Sequence, residues 1–146
     1  MRLVAMSLIL SCILFMAVPA FAAWELKSSG LATEAQNYIA KTELKGKKTT
    51  FSVDDERVVW YGKFTNPNAP LGRFGLPRNF YANWFSPDGK VYASKRFTSS
   101  LGNKTAAHTA IYIKNTKAAQ MRGSWKVTII DWDKKQVVDE QRFEIR

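Results

Sequence analysis

The chain has 146 residues, with 22 lysines and arginines against 12 aspartates and glutamates, for a formal charge of +10. One cysteine, Cys12, and one histidine, His108, exclude a disulfide framework, a cysteine-ligated metal and a multi-histidine metal site. The length suits a single hydrophobic core and is short for two.

The run from Leu3 to Ala23 is almost wholly apolar and follows one cation, Arg2. It closes on Pro19-Ala20-Phe21-Ala22, with small residues at both positions a signal peptidase reads. This pattern predicts a secretory signal over residues 1–22, cleaved after Ala22, and a mature domain over 23–146 in the periplasm or outside the cell. Two other readings stay open. The run is long enough to cross a bilayer as an uncleaved anchor, and Ile9-Leu10-Ser11-Cys12 resembles a lipoprotein box. If the signal leaves, Cys12 leaves with it and the mature chain has no thiol.

Trp24-Glu25-Leu26-Lys27 alternates as a first strand, with Ser28-Ser29-Gly30 as its break. Ala32–Leu44 admits two readings: Ala32, Ala35, Gln36 and Ile39 have helical spacing, whereas Tyr38–Leu44 reads as strand. Lys45–Lys48 is a turn and Thr49–Val53 a short β-prone run. Asp54-Asp55-Glu56 turns the chain into Arg57–Thr65, which is apolar on both faces, as a central strand should be. Phe80–Ser86 has the same character: Phe80, Ala82 and Trp84 share one face, Tyr81 and Phe85 the other. Ser86-Pro87-Asp88-Gly89 then turns the chain into Lys90-Val91-Tyr92.

Thr109, Ile111 and Ile113 alternate along a further strand, and Ala118–Met121 offers one helical turn. The chain ends in a hairpin. Trp125, Val127 and Ile129 are expected to meet Val137, Phe143 and Ile145 across the polar break Asp131–Lys135. Asp139 and Gln141 interrupt that apolar face, which predicts a bulge or a half-exposed stretch there. Roughly seven to nine short strands with regular turns predict an all-β, antiparallel sandwich.

The order strand, Ser-Pro-Asp-Gly, strand, then Gly123-x-Trp125-x-Val127-x-Ile129 and a terminal Phe143-x-Ile145, resembles immunoglobulin-like sandwich domains of bacterial exported proteins. The resemblance covers about Phe51 to Ile145, and Trp84 looks like the tryptophan packed in the middle of such sandwiches. It implies a fold and no functional residue, because one architecture hosts many functions. The cysteine pair of antibody domains is missing.

No phosphate-binding glycine loop is present. Asp131-x-Asp133 starts like a calcium loop, but Lys135, Gln136 and Arg142 stand where a ligand, a glycine and a glutamate belong. Carboxylate pairs such as Asp133 with Asp139, or Asp54 with Glu56, read as turn and surface charge. No catalytic residue, metal or cofactor is expected, and the chain reads as a binding domain. The long loop 66–78 is the first candidate, with Leu71, Arg73, Phe74, Leu76 and Arg78 meeting an envelope protein. Trp132 at the tip of the last hairpin is the second. The alternative is a module for an anionic or neutral glycan, with Trp132, Tyr92 or Tyr112 as platforms among lysines. Anionic lipid fits the same charge, and nucleic acid is not an expected partner of an exported protein.

Overall fold

A computed structural model describes residues 25–38, 41–65, 79–98 and 104–146, which form ten strands. They are β1 (Glu25–Ala32), β2 (Glu34–Tyr38), β3 (Lys41–Lys45), β4 (Thr50–Phe51), β5 (Arg57–Thr65), β6 (Asn79–Phe85), β7 (Val91–Thr98), β8 (Lys104–Tyr112), β9 (Gly123–Asp131) and β10 (Gln136–Ile145). A single 3-10 turn, Lys117–Gln120, joins β8 to β9 and is capped by the Thr116 side chain. The strands form a three-stranded sheet, β1-β5-β8, a five-stranded sheet, β4-β10-β9-β6-β7, and a separate ribbon, β2-β3. All pairings are antiparallel except the short contact of β4 with β10. This is an all-β sandwich with an immunoglobulin-like strand order.

Alternation builds the core. In β6, Phe80, Ala82 and Trp84 are buried while their neighbours are only half-buried. They meet Trp125, Val127 and Ile129 of β9, Phe143 and Ile145 of β10, and Val58, Trp60 and Phe64 of the opposing sheet. Phe64 stacks on Phe80 at 4.8 Å, so an aromatic contact joins the two sheets. Each fully buried large side chain contributes roughly 1.5–3 kcal/mol by leaving water. Trp84 is wholly buried, edge-on to Phe143 at 5.9 Å, in the central place its resemblance implied.

The two open sides of the sandwich are laced by polar groups. On one, Trp60 Nε1 donates to Asp139 Oδ2 at 2.7 Å, and Gln141 Nε2 donates to both Ser29 and Asp139. On the other, Lys95 of β7 lies on the core-facing side of its strand, opposite Ala82, and its ammonium donates to the Ala110 carbonyl of β8. An inward-pointing charge on an edge strand blocks pairing with another chain.

Three expectations need correction, and one open alternative is decided. β1 does not break at Ser28-Ser29-Gly30: it runs on to Ala32 with an irregularity between Leu26 and Ser28. Gly30 sits opposite Tyr61, and a Cβ there would lie 2.7 Å from the Tyr61 hydroxyl, so the glycine serves a close approach rather than a turn. The helical spacing of Ala32, Ala35 and Gln36 is overridden, because these residues lie in or beside β1 and β2, both extended. The bulge expected near Asp139 falls between Val137 and Asp139. It shifts the phase of β10, so Val137 faces outward at 60% exposure instead of joining Phe143 and Ile145. Finally, Asp131 is the buried end of β9 rather than part of the exposed loop.

The Ser86–Gly89 turn is as read. Gly89 N–H donates to the Ser86 carbonyl at 2.9 Å, and Gly89 takes φ +78°. The Ser86 hydroxyl donates to Asp88, which together with the Lys90 N–H holds the Asp88 carboxyl below its ordinary pKa.

Candidate functional site

The registers of β10, β9, β6 and β7 place the outward side chains of the five-stranded sheet in three rows. The first is Val137, Ile130, Tyr81 and Arg96; the second Glu140, Thr128, Asn83 and Ser94; the third Arg142, Lys126, Phe85 and Val91. Trp132, just past the end of β9, turns back over the first row. Its ring centroid is 4.6 Å from that of Tyr81 with a tilt of 43°. Two backbone features hold it there: Trp132 N–H donates to the Asn79 carbonyl at 3.0 Å, and Asp131 Oδ1 accepts the N–H groups of Asp133 and Lys134.

Trp132 is 51% exposed, Val91 55% and Val137 60%. With Tyr112 they are the exposed large hydrophobic side chains among the described residues, and three of the four lie on this one face. An exposed tryptophan beside Val137 and Ile130 on such a face is a candidate interaction surface.

The polar groups between the rings are also fixed. Asn79 Oδ1 accepts from Arg96 Nη2 at 2.9 Å and from Thr98 at 3.1 Å. Since a guanidinium only donates, the Asn79 amide nitrogen is turned away from that bond. Asn83 Oδ1 accepts from Ser94 at 2.7 Å. In the third row Lys126 lies 4.9 Å above the Phe85 ring, and both Lys126 and Arg142 pair with Glu140 at 3.5 and 3.4 Å. The two cations of that row therefore share one carboxylate, Glu140 of the second row, whereas Arg96 beside Tyr81 is bonded to the neutral Asn79 amide.

Of the residues singled out by sequence, Leu71, Arg73, Phe74, Leu76 and Arg78 lie outside the described residues. Trp132 is on the open face. Tyr92 is not a free platform, because its ring meets Trp125 edge-on at 5.1 Å. Tyr112 is 51% exposed but belongs to the other sheet, opposite Arg57. Tyr81, Asn79, Asn83 and Arg96 were not singled out. Their signal is the strict alternation Asn79-x-Tyr81-x-Asn83, which puts two amides and a ring on the face opposite Phe80, Ala82 and Trp84.

His108 stands opposite Tyr61 on β8, half-buried, with Nδ1 lacking a hydrogen-bond partner. Burial, and secondarily the Arg57 charge, hold its pKa below the ordinary value. Among the described residues no three of His, Cys, Asp and Glu gather as a metal site, and no helix is long and apolar enough to cross a membrane.

No protein-family model and no curated protein matches this sequence. Solved structures do resemble it in shape. The alkylpurine DNA glycosylase AlkC of Pseudomonas fluorescens, bound to DNA containing an abasic site analog, aligns with a TM-score of 0.51 at 12% identity, over 86% of this chain and 31% of its own. β-Glucosidase 3B of Thermotoga neapolitana aligns at 0.49 and 12% identity, over 85% and 16%. The β-glucuronidase of Bifidobacterium dentium aligns at 0.41 and 13%, over 84% and 17%. The chain spans less than a third of each of these proteins. At such identities the AlkC likeness speaks to a shared β-rich fold and to nothing else.

Proposed function

We propose that residues 1–22 direct export and that the following domain is a non-catalytic, immunoglobulin-like binding module. It engages another component of the cell envelope through the outer face of its five-stranded sheet. The observation that carries this reading is that Val91, Trp132 and Val137 all stand exposed on one face, which no described residue covers. The apolar run ending at Ala22 supports the address. The loop 66–78 is part of the same proposal. In the sequence it directly precedes Asn79, the first residue of β6 and the one whose carbonyl accepts from the Trp132 N–H.

The test is crosslinking of the full-length chain in its native envelope, as wild type and as the double variant Trp132→Ala, Val91→Asp. Both side chains are half-exposed or more, so the fold should tolerate the change. Capture lost in the variant supports the open face as the binding surface. Equal capture by both proteins overturns it. Recovery of the domain only in the cytoplasmic fraction, with residues 1–22 retained, overturns the export half.

A further inference from the structure

The outward side of β6, Asn79, Tyr81 and Asn83, with Arg96 opposite Tyr81, has a chemistry narrower than general stickiness, and it rests on the binding reading just given. Its two amide oxygens are already engaged: Asn79 Oδ1 by Arg96 and Thr98, Asn83 Oδ1 by Ser94. What this group still offers is mainly donors, namely two side-chain amide groups, the remaining guanidinium N–H groups and the Tyr81 hydroxyl. Asn79, Tyr81 and Asn83 alternate on one strand, so the Cα of each asparagine lies about 7 Å from that of Tyr81. Over the Tyr81 ring lies the Trp132 indole at 4.6 Å between centroids, so the two rings pack on each other and the half-exposed indole is the aromatic surface left for a ligand.

We infer that Tyr81 and Trp132, with Asn79, Asn83 and Arg96, form a subsite for an acidic saccharide chain bearing uronic-acid-type carboxylates. A pyranose presents an apolar C–H face, which packs on aromatic carbon, and an edge of hydroxyl and carboxylate oxygens, which need donors. The exposed indole supplies the first and the amide and guanidinium groups the second. The charge balance selects the acidic sugar. Arg96 lies opposite Tyr81 on β7, Lys134 and Lys135 follow Trp132 and Asp133 in the sequence, and the whole chain carries +10.

Two other polymers fit less well. A protein hot spot needs a contiguous desolvated centre, but the second row, Thr128, Asn83 and Ser94, separates the apolar first row from Phe85 and Val91. A nucleic-acid strand stacks its bases on successive rings. Beyond Tyr81 and Trp132 the next ring on this face among the described residues, Phe85, is already covered by Lys126 at 4.9 Å.

The experiment is calorimetric titration of the full-length protein with tetragalacturonate, maltotetraose and a thymidine tetranucleotide at two salt concentrations. Tetragalacturonate is expected to bind saturably, and maltotetraose at least several-fold more weakly. Trp132→Ala should weaken the acidic sugar about tenfold. Arg96→Gln should reduce both its affinity and its salt dependence. Unchanged thermal melting of Trp132→Ala separates loss of the platform from loss of fold. Equal binding of maltotetraose overturns the acidic specificity, and equal binding of the tetranucleotide overturns the saccharide. Undiminished binding to Trp132→Ala overturns the site. If tetragalacturonate fails to bind while a discrete protein is captured by wild type and lost in the Trp132→Ala, Val91→Asp variant, the saccharide inference falls and the open-face reading stands. If that variant captures as wild type does, both fall.

Discussion

On the outer face of the three-stranded sheet, Ala32, Val59 and Tyr61 are 0%, 1% and 8% exposed, whereas on the five-stranded sheet Trp132, Val91 and Val137 stand more than half open. Both faces start from strands that are apolar on two sides. The first closes over itself. Small residues, Gly30, Ala32 and Ala110, flank Val59 and Tyr61 in register, the Tyr61 ring lies close over Gly30, and the Lys47 ammonium sits 5.8 Å from that ring. The base of the β2-β3 ribbon is stitched to the same sheet through Arg57 Nε to the Thr33 carbonyl and Lys48 N–H to the Leu31 carbonyl. The second face has large side chains in its first and third rows. Apolar surface that the chain covers contributes to stability, and apolar surface that it leaves open is available for binding.

The largest effect that tests this contrast is Val59→Asp. Val59 lies outside the main core cluster yet is buried, so the new carboxylate would be desolvated without a partner. The expected loss is about 4 kcal/mol, seen as a fall in the urea midpoint. A loss below about 1 kcal/mol would show that this face is as accessible as the other one.

Gly30→Ala is a smaller perturbation of the same face. The added Cβ would meet Tyr61 Oη at 2.7 Å and Cζ at 3.0 Å, so the ring must lift. Overpacking of this kind costs about 1–3 kcal/mol, and thermal melting of the variant measures it. The companion Gly30→Ala, Tyr61→Phe, which removes the nearest atom, should recover part of the loss. A Gly30→Ala variant as stable as wild type would mean that Tyr61 does not pack over β1.

These positions also show where sequence reading reaches and where it stops. The buried faces of β6, β9 and the end of β10 were legible because period-two alternation in Phe80-x-Ala82-x-Trp84 and Trp125-x-Val127-x-Ile129 is a local property. Gly30 was read as a break because glycine marks turns in isolation; its actual role depends on Tyr61, distant in sequence and adjacent only after β1 pairs β5. Val137 was assigned inward because the expected bulge was known to be near but its phase was not, and one residue of slip reverses a side chain. The site divides the same way. Trp132 stood out as a tryptophan in a polar loop, but the grouping of Tyr81, Ile130, Arg96 and Val137 into one row comes from interstrand register, which no single strand encodes.

His108 gives the covered face a pH signature. Its folded pKa is held below the ordinary 6.5 by burial first and the Arg57 charge second. The unfolded chain therefore takes up a proton that the folded chain resists. The stability this group contributes is full above about pH 6.5 and declines as pH falls from there toward the folded pKa. His108→Gln removes that slope. Urea midpoints at pH 7.5 and pH 5 should fall further for wild type than for the variant. Parallel falls would place the proton elsewhere.

The smallest effect is on the open face, at Val137→Asp. Val137 is 60% exposed, so stability should change by no more than about 0.5 kcal/mol. Its consequence for an acidic ligand follows from distance. Two strand spacings separate it from Tyr81, about 10 Å, where two unit charges in water repel by about 0.4 kcal/mol. That is roughly a twofold weakening of tetragalacturonate binding at low salt, and it should vanish once the screening length falls below the separation. A tenfold, salt-insensitive loss would instead require Val137 itself to be buried by the ligand. A platform confined to Tyr81 and Trp132 cannot produce that, and an interface spanning the whole row from Val137 to Arg96 can.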